Sequence, residues 1–315
     1  MEGKYAFFGG RIVPIEEAKV SVRTHTMNYG TGCFEGIRGY WNEDEGQLLV
    51  FKLREHFERF LDSCRILFID LPYSADDLCA ITLDLIRREG YQGDTYIRPL
   101  AYKADELIGV RLHNLTDAVT IFATPFGRYV EAEEGARVHV SSWRRIDDNA
   151  IPARAKIVGA YVNSAFAKTE AQLNGFDEAI VLNQNGHVSE GSAENLFIVR
   201  EGVVITPPAT DNILEGITRS VVMQLCREVL DIRVEERSID RTELYVSDEV
   251  FFTGTGVQIA AITEIDRRRI GEGQMGPVVK ALRQTYFDAV RGRLPQYRHW
   301  CTPVYLNQPV PAGIA

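Results

Sequence analysis

The chain has 315 residues, 45% hydrophobic and 25% charged, with 44 acidic against 35 basic side chains and a net charge of −9. That balance excludes a disordered chain, a collagen-type repeat and a disulfide-stapled miniprotein, and it gives no electrostatic case for nucleic acid. Five scattered cysteines without a C-x-x-C pair argue against a zinc site or disulfide framework and point to a reducing, cytoplasmic setting, while Met1-Glu2-Gly3-Lys4 lacks an apolar signal core and no run of about 20 apolar residues could span a bilayer.

Taken in chain order, Tyr5 to Pro14 reads as a hairpin turning at Gly9-Gly10, and Leu48 to Phe51 as a short apolar strand. The period then changes: Leu53, Phe57, Phe60, Leu61, Cys64 and Leu67 keep the three-or-four spacing of one helix face. Ser74 is the N-cap of a second helix that buries Leu78, Ile81, Leu85 and Ile86 and stops at Gly90. Thr95 to Tyr102 and Ala118 to Thr124 return to strand character, with Pro99 predicting an exposed edge or a bulge in the first. The stretch from Pro125 to Gly135, with its acidic run Glu131-Ala132-Glu133-Glu134, is the best boundary. Beyond it Arg137 to Trp143 alternates as a strand, and Tyr161 to Leu173 is a helix closed by Asn174-Gly175. Asn185-Gly186 joins a hairpin between Glu178 to Leu182 and His187-Val188, and a second hairpin turns at Glu201-Gly202. Helices follow from Ile217 to about Leu230 and from Pro277 to about Arg291, with strands over Val250 to Thr253 and Gln258 to Ile265. The proline-bearing tail after Pro295 reads as irregular. Hairpins outnumber β-α-β crossovers, so the expectation is an α/β chain of α+β-like character rather than a doubly wound nucleotide fold. It comprises a small α+β domain over residues 1–125, a linker over 126–136 and a larger domain over 137–315.

Several familiar chemistries find no support. Gly30-Thr31-Gly32 and Gly254-Thr255-Gly256 begin like a dinucleotide fingerprint, but Glu35 and Ile259 stand where the third glycine belongs. The six histidines never stand three or four apart, so no metal site is expected, and no G-x-S-x-G elbow exists. Lys156 is more informative. It lies among small and apolar residues in Ile151-Pro-Ala-Arg-Ala-Lys-Ile-Val-Gly-Ala-Tyr161, where burial would disfavour the ammonium and free an amine for Schiff-base chemistry. Most lysines are simply solvated. Glu190, on the return strand of the Asn185-Gly186 hairpin, is either a turn acid or a carboxylate aimed at a ring nitrogen, beside Gly191, Ser192 and Ala193 that let something bulky approach. Leu214-Glu-Gly-Ile-Thr-Arg219 opens a helix whose N-terminus suits phosphate, though an ordinary cap is commoner. Phe252-Thr-Gly-Thr-Gly-Val257 could offer hydroxyls and backbone N–H groups to an anion or simply turn, and Arg59 could be a surface helix arginine. Together these residues make up the parts of a pyridoxal phosphate site.

The chain resembles the branched-chain amino acid aminotransferases, in the D-alanine-aminotransferase-like group of pyridoxal phosphate enzymes. The motifs that carry the resemblance are Asn28-Tyr-Gly-Thr-Gly-Cys-Phe-Glu-Gly-Ile-Arg38, Leu53-Arg-Glu-His56, Tyr96-Ile-Arg-Pro99, Val188-Ser-Glu-Gly-Ser-Ala-Glu-Asn-Leu-Phe197 and Glu215-Gly-Ile-Thr-Arg219, and it spans about Phe7 to Phe287. It implies the two-domain fold of that group, with the larger domain binding pyridoxal 5′-phosphate, and amino transfer between branched-chain L-amino acids (leucine, isoleucine, valine) and 2-oxoglutarate. A D-amino acid or (R)-amine aminotransferase is the alternative, with an aminodeoxychorismate lyase or a silent binder of a phosphorylated ligand behind it. The resemblance makes Lys156 the catalytic Schiff-base lysine, Glu190 the partner of the pyridine nitrogen and Tyr161 the partner of the ring hydroxyl. Arg59, Ile217, Thr218 and Thr255 become the phosphate cup, and Tyr29, Phe34, Gly36, Arg38, Tyr96, Arg98, Tyr129, Thr255 and Gly256 the substrate pocket. Arg98 is expected at the pocket rim, facing the same way as Tyr96 and steadied by Tyr29 and Tyr129. In the family the Tyr29 position is donated by the neighbouring subunit, so the resemblance also implies a homodimer.

Overall fold

The computed structural model describes residues 3–127 and 135–305; Tyr129, one of the expected pocket residues, lies outside them. Two compact units are present. The first takes in the chain up to Gly127, the short return Ile157–Gly159 and the segment from Phe287 onward; the second takes in the described residues as far as Lys156, and then Ala160–Tyr286. The first unit thus includes a C-terminal segment that the sequence pattern groups with the larger domain.

The first unit is built on one antiparallel sheet. Its strands follow the order Cys301–Pro303, Gln47–Phe51, Ile37–Asn42, Thr95–Lys103, Asp117–Pro125, Tyr5–Phe8 and Arg11–Pro14, and Gly32–Phe34 also pairs with Thr95–Lys103. The described part of the tail, as far as Tyr305, is therefore not irregular. Cys301–Pro303 adds an outermost strand to Gln47–Phe51 and ends on Pro303, a position where proline sacrifices no interior ladder bond. The hairpin at Gly9-Gly10 forms because both glycines take positive φ, +58° and +80°, matching the twist of the flanking strands. Helix Leu53–Ile66 buries Leu53, Phe57, Phe60 and Cys64 on the face its sequence period marked. Helix Ala75–Glu89 starts in a reciprocal capping box between Ser74 and Asp77 and ends at Gly90 in the left-handed region.

Thr95–Lys103 is an interior strand, so Pro99 does not mark an edge. Its partner is interrupted instead. Ile37 and Arg38 pair with Ile97 and Tyr96, whereas Phe34 pairs with Leu100, and Glu35 N–H reaches the Pro99 carbonyl at 3.0 Å in the gap between them. The missing N–H of Pro99 falls at that break, which carries Glu35-Gly36.

The second unit holds a mixed sheet in the order Val188–Gly191, Glu178–Leu182, Ala136–Arg144, Gln258–Ile265, Glu249–Gly254, Asn195–Arg200, Val203–Thr206 and Val234–Glu236. Its core joins Val138, Ile180, Leu196, Ile198, Phe252 and Ile262, all nearly inaccessible. Two parallel crossovers stand out. Helix Tyr161–Leu173 links Ala136–Arg144 to Glu178–Leu182, and helix Ile217–Glu228 links Val203–Thr206 to Val234–Glu236. The N-termini of these two helices are where the sequence placed Tyr161 and Ile217-Thr218.

Candidate active site

Lys156 lies in the first of those crossovers, half-buried beside buried Ala153 and Ala155. A single 3₁₀ turn separates it from the helix, which returns Tyr161 to it: Lys156 Nζ donates to the Tyr161 hydroxyl at 2.6 Å and stands 5.2 Å from the ring centroid. An amine and a phenol are thus held together by local chain geometry.

Glu190 is 5% exposed on the hairpin's return strand and is fixed by donors from three segments. Arg145 Nη2 pairs with Oε1 at 3.0 Å, while Leu214 N–H and Asn195 Nδ2 donate to Oε2 at 2.9 and 3.3 Å. Asn195 also donates to the Leu214 carbonyl at 2.8 Å, so one amide ties the carboxylate to the chain that enters helix Ile217–Glu228. Gly216 precedes that helix without a side-chain cap, and a Cβ there would stand 2.0 Å from Asn195 Oδ1. The first N–H groups of Ile217 and Thr218 have no acceptor within the helix, which makes this end suited to an anion. Asn195 is in register with Thr253, and the strand leads directly into the Thr255-Gly256 turn. Glu194 lies beside this cluster, 4% exposed. Burial pushes its carboxyl up to about 8, with the charges of Glu178 and Glu190 adding to the effect, so it carries its proton at neutral pH and keeps a further negative charge away from Glu190.

In the first unit, alternation along Thr95–Lys103 buries Thr95, Ile97 and Pro99 and turns Tyr96 and Arg98 to the opposite face, as expected. The Arg98 guanidinium lies 4.5 Å from the Phe34 ring centroid and 5.2 Å from that of Tyr96, and its Nη2 donates to the Tyr96 hydroxyl at 2.8 Å. Tyr96 in turn packs on Phe126 at 4.8 Å, and Arg38 stacks between Phe126 and Tyr40. Arg38 is 4% exposed, with Nη2 on the Gly127 carbonyl at 3.1 Å and on Asp94 at 3.6 Å, so it stiffens this wall from within. Arg98 is steadied by Tyr96 and Phe34. Tyr29 of the same chain accepts from Gly109 N–H at 3.1 Å. Gly36 is required here, because a Cβ would stand 2.2 Å from the Tyr96 hydroxyl oxygen.

Arg59 is also in the first unit, on helix Leu53–Ile66, where Nε and Nη2 bind both oxygens of Glu35 at 2.7 and 2.8 Å. Sequence reasoning singles out neither Glu35 nor Arg145 nor Asn195 as an individual contributor. Asn195 and Glu35 sit inside motifs that it does mark, whereas Arg145, one of an Arg-Arg pair at a strand end, carries no signal. Among the described residues no group of three or more His, Cys, Asp or Glu could hold a metal ion, and no helix is long and apolar enough to cross a membrane.

The amino-transferase class IV family model matches residues 32–265. A probable branched-chain-amino-acid aminotransferase of Aquifex aeolicus is 52% identical over 301 residues, 96% of this chain and 97% of the relative. The crystal structure of branched-chain aminotransferase from the thermophilic archaeon Thermoproteus uzoniensis with norvaline is similar at a TM-score of 0.92 and 46% identity, covering 97% of this chain and 100% of that one. The branched-chain amino acid aminotransferase from Thermobaculum terrenum, in its PLP-bound holo-form, also reaches a TM-score of 0.92 at 40% identity, over 97% of this chain and 99% of that one.

Proposed function

This chain belongs to the amino-transferase class IV family, and from that membership we propose that it transfers amino groups between branched-chain L-amino acids and 2-oxoglutarate with pyridoxal 5′-phosphate as cofactor. The observation that carries the reading is the second unit's donor set: the paired Lys156 and Tyr161, and a Glu190 carboxylate fixed by Arg145, Asn195 and Leu214 N–H.

That set fits the cofactor. Lys156 supplies an amine for its aldehyde carbon, Tyr161 a phenol for its ring hydroxyl, Glu190 a carboxylate for its ring nitrogen. Ile217 and Thr218 supply backbone N–H groups for its phosphate, to which the family resemblance also assigns Thr255 and Arg59. When bound, pyridoxal phosphate supplies the electron sink and carries the amino group between the two half-reactions. The chain's own work is positional and acid–base. Lys156, which would hold the cofactor through its amine, would also serve as the general base and acid that moves the substrate α-proton. Tyr161 holds the Lys156 amine between those tasks. Glu190 keeps a proton on the ring nitrogen, and an anion surrounded by three donors has no freedom to turn away.

Phe34, Gly36, Arg38, Tyr96 and Arg98 serve the substrate in this reading, with Tyr29, Tyr129 and Gly256. The protein must seat an apolar side chain in one half-reaction and a γ-carboxylate in the other, and a wholly apolar pocket would strand the carboxylate. A guanidinium laminated between Phe34 and Tyr96 satisfies both demands, presenting ring faces to leucine and an edge of N–H donors to 2-oxoglutarate. Arg98→Leu is expected to slow the half-reaction with L-glutamate or 2-oxoglutarate about a hundredfold and that with L-leucine no more than about threefold, in stopped-flow measurements. Equal losses would place Arg98 on the α-carboxylate or the fold. Gly36→Ala, which displaces the Tyr96 hydroxyl and releases Arg98, should show the same selectivity at about a tenth of the magnitude.

A cytoplasmic homodimer completes the reading. Val22, Met27, Ile108 and Val110 stand 68–83% exposed along the segments next to Tyr29 and Gly109, an apolar set for a second copy to cover. Sedimentation of the purified chain tests it.

A further inference from the structure

We propose that Glu35 is a positioning residue for the cofactor phosphate, acting by locking the orientation of the Arg59 guanidinium. The proposal rests on the reading that Arg59 meets that phosphate. Glu35 has no exposure, and its carboxylate takes bonds from one helix face: His56 Nδ1 at 2.8 Å, Arg59 Nε at 2.7 Å and Arg59 Nη2 at 2.8 Å. His56 and Arg59 stand three residues apart on helix Leu53–Ile66 and so project together. Glu35 reaches them because it sits in the break opposite Pro99, where the partner of Thr95–Lys103 changes strands.

The charges in this cluster are defined. Burial pushes the Glu35 carboxyl up, but the Arg59 charge and the bonds from His56 and Arg59 outweigh it and hold the group below the usual carboxylate range. Burial, aided by the Arg59 charge, lowers His56 against the opposing pull of Glu35, so His56 is neutral and donates its Nδ1 proton. The cluster therefore holds one anion and one cation. Arg59 brings little net charge to a phosphate. Its contribution is direction: a planar fork with five donors, two of them committed to Glu35 on one edge, has its opposite edge aimed by that commitment. An unanchored arginine would have to give up side-chain freedom each time it met the ligand.

Direction and charge predict opposite results for Glu35→Gln. The variant removes an anion and makes the neighbourhood more positive, so a purely electrostatic role for Arg59 predicts tighter phosphate binding. Positioning predicts weaker binding, because the amide turns a donor toward either His56 or Arg59 and the fork loses its two-point anchor. The test is titration of the cofactor-free enzyme with pyridoxal 5′-phosphate and, separately, with pyridoxal, which lacks the phosphate. Glu35→Gln is expected to raise the dissociation constant for pyridoxal phosphate at least about tenfold, to leave that for pyridoxal within about twofold, and to add nothing further in an Arg59→Ala background. Unchanged or tighter binding of pyridoxal phosphate overturns the proposal, and so does an equal loss for both ligands. Should Glu35→Gln not fold, Glu35→Asp decides. It keeps the charge but withdraws the carboxylate by one methylene, and it should weaken pyridoxal phosphate alone; unchanged binding overturns the proposal. The underlying reading fails separately, by Arg59→Ala itself affecting both ligands alike.

Discussion

Lys156→Ala is expected to lower amino transfer from L-leucine to 2-oxoglutarate by more than about ten-thousandfold. On the proposed function the loss is this large because one side chain, held on Tyr161, would carry two duties: covalent attachment of the cofactor and movement of the α-proton. Lys168, on the same helix as Tyr161, cannot take them over, because it is committed to Glu178 and the Asp177 carbonyl. A second readout needs no turnover. Borohydride reduction and digestion should leave cofactor on the peptide that holds Lys156 in the wild type and on no peptide in the variant. Substantial steady-state turnover, or label on another lysine, would end the assignment. Circular dichroism should remain native, since Lys156 is only half-buried and lies in a connection.

Glu190→Gln ranks second, with an expected fall of about a hundred- to a thousandfold in single-turnover removal of the leucine α-proton. Arg145, Asn195 and Leu214 N–H all donate to this carboxylate, and both of its oxygens accept. A glutamine has one acceptor oxygen, so its NH₂ must face Arg145 or the Leu214 N–H within a site only 5% exposed. Such a donor–donor pair costs about 1–3 kcal/mol, so the variant should also melt earlier. The cofactor should still bind, since Lys156 and the phosphate contacts are untouched, and its ring nitrogen should titrate within the accessible pH range for want of a carboxylate partner. Proton removal at the wild-type rate would make Glu190 a structural acid of the hairpin.

Local physics makes much of this protein legible before any tertiary contact is known. The Ser74 cap, the Gly90 stop, the Gly9-Gly10 and Glu201-Gly202 turns and the helix boundaries at Tyr161 and Leu173 each follow from residues within a few positions of one another. Lys156 and Tyr161 belong to the same class, because one turn of chain joins them. The motifs around Glu190, Ile217 and Arg98 can be read as chemistry because unusual residues recur at short spacing. What only the tertiary structure decided is which charges face one another. Arg145 looks like any arginine at a strand end until the hairpin carries Glu190 to it, and Glu35 looks like a strand acid until the break opposite Pro99 turns it onto His56 and Arg59. Within its own chain Arg98 is held by Tyr96, two residues away on the same face of the strand. Cys301–Pro303 became a strand for a similar reason: Gln47–Phe51 offered an unpaired edge, and a proline at the end of an outermost strand gives up no ladder bond. Periodicity and turn chemistry act through neighbours in sequence, whereas a buried ion pair forms only after the chain has closed a long loop; the sequence therefore determined the elements and the residue types of the site, and the fold determined their partners.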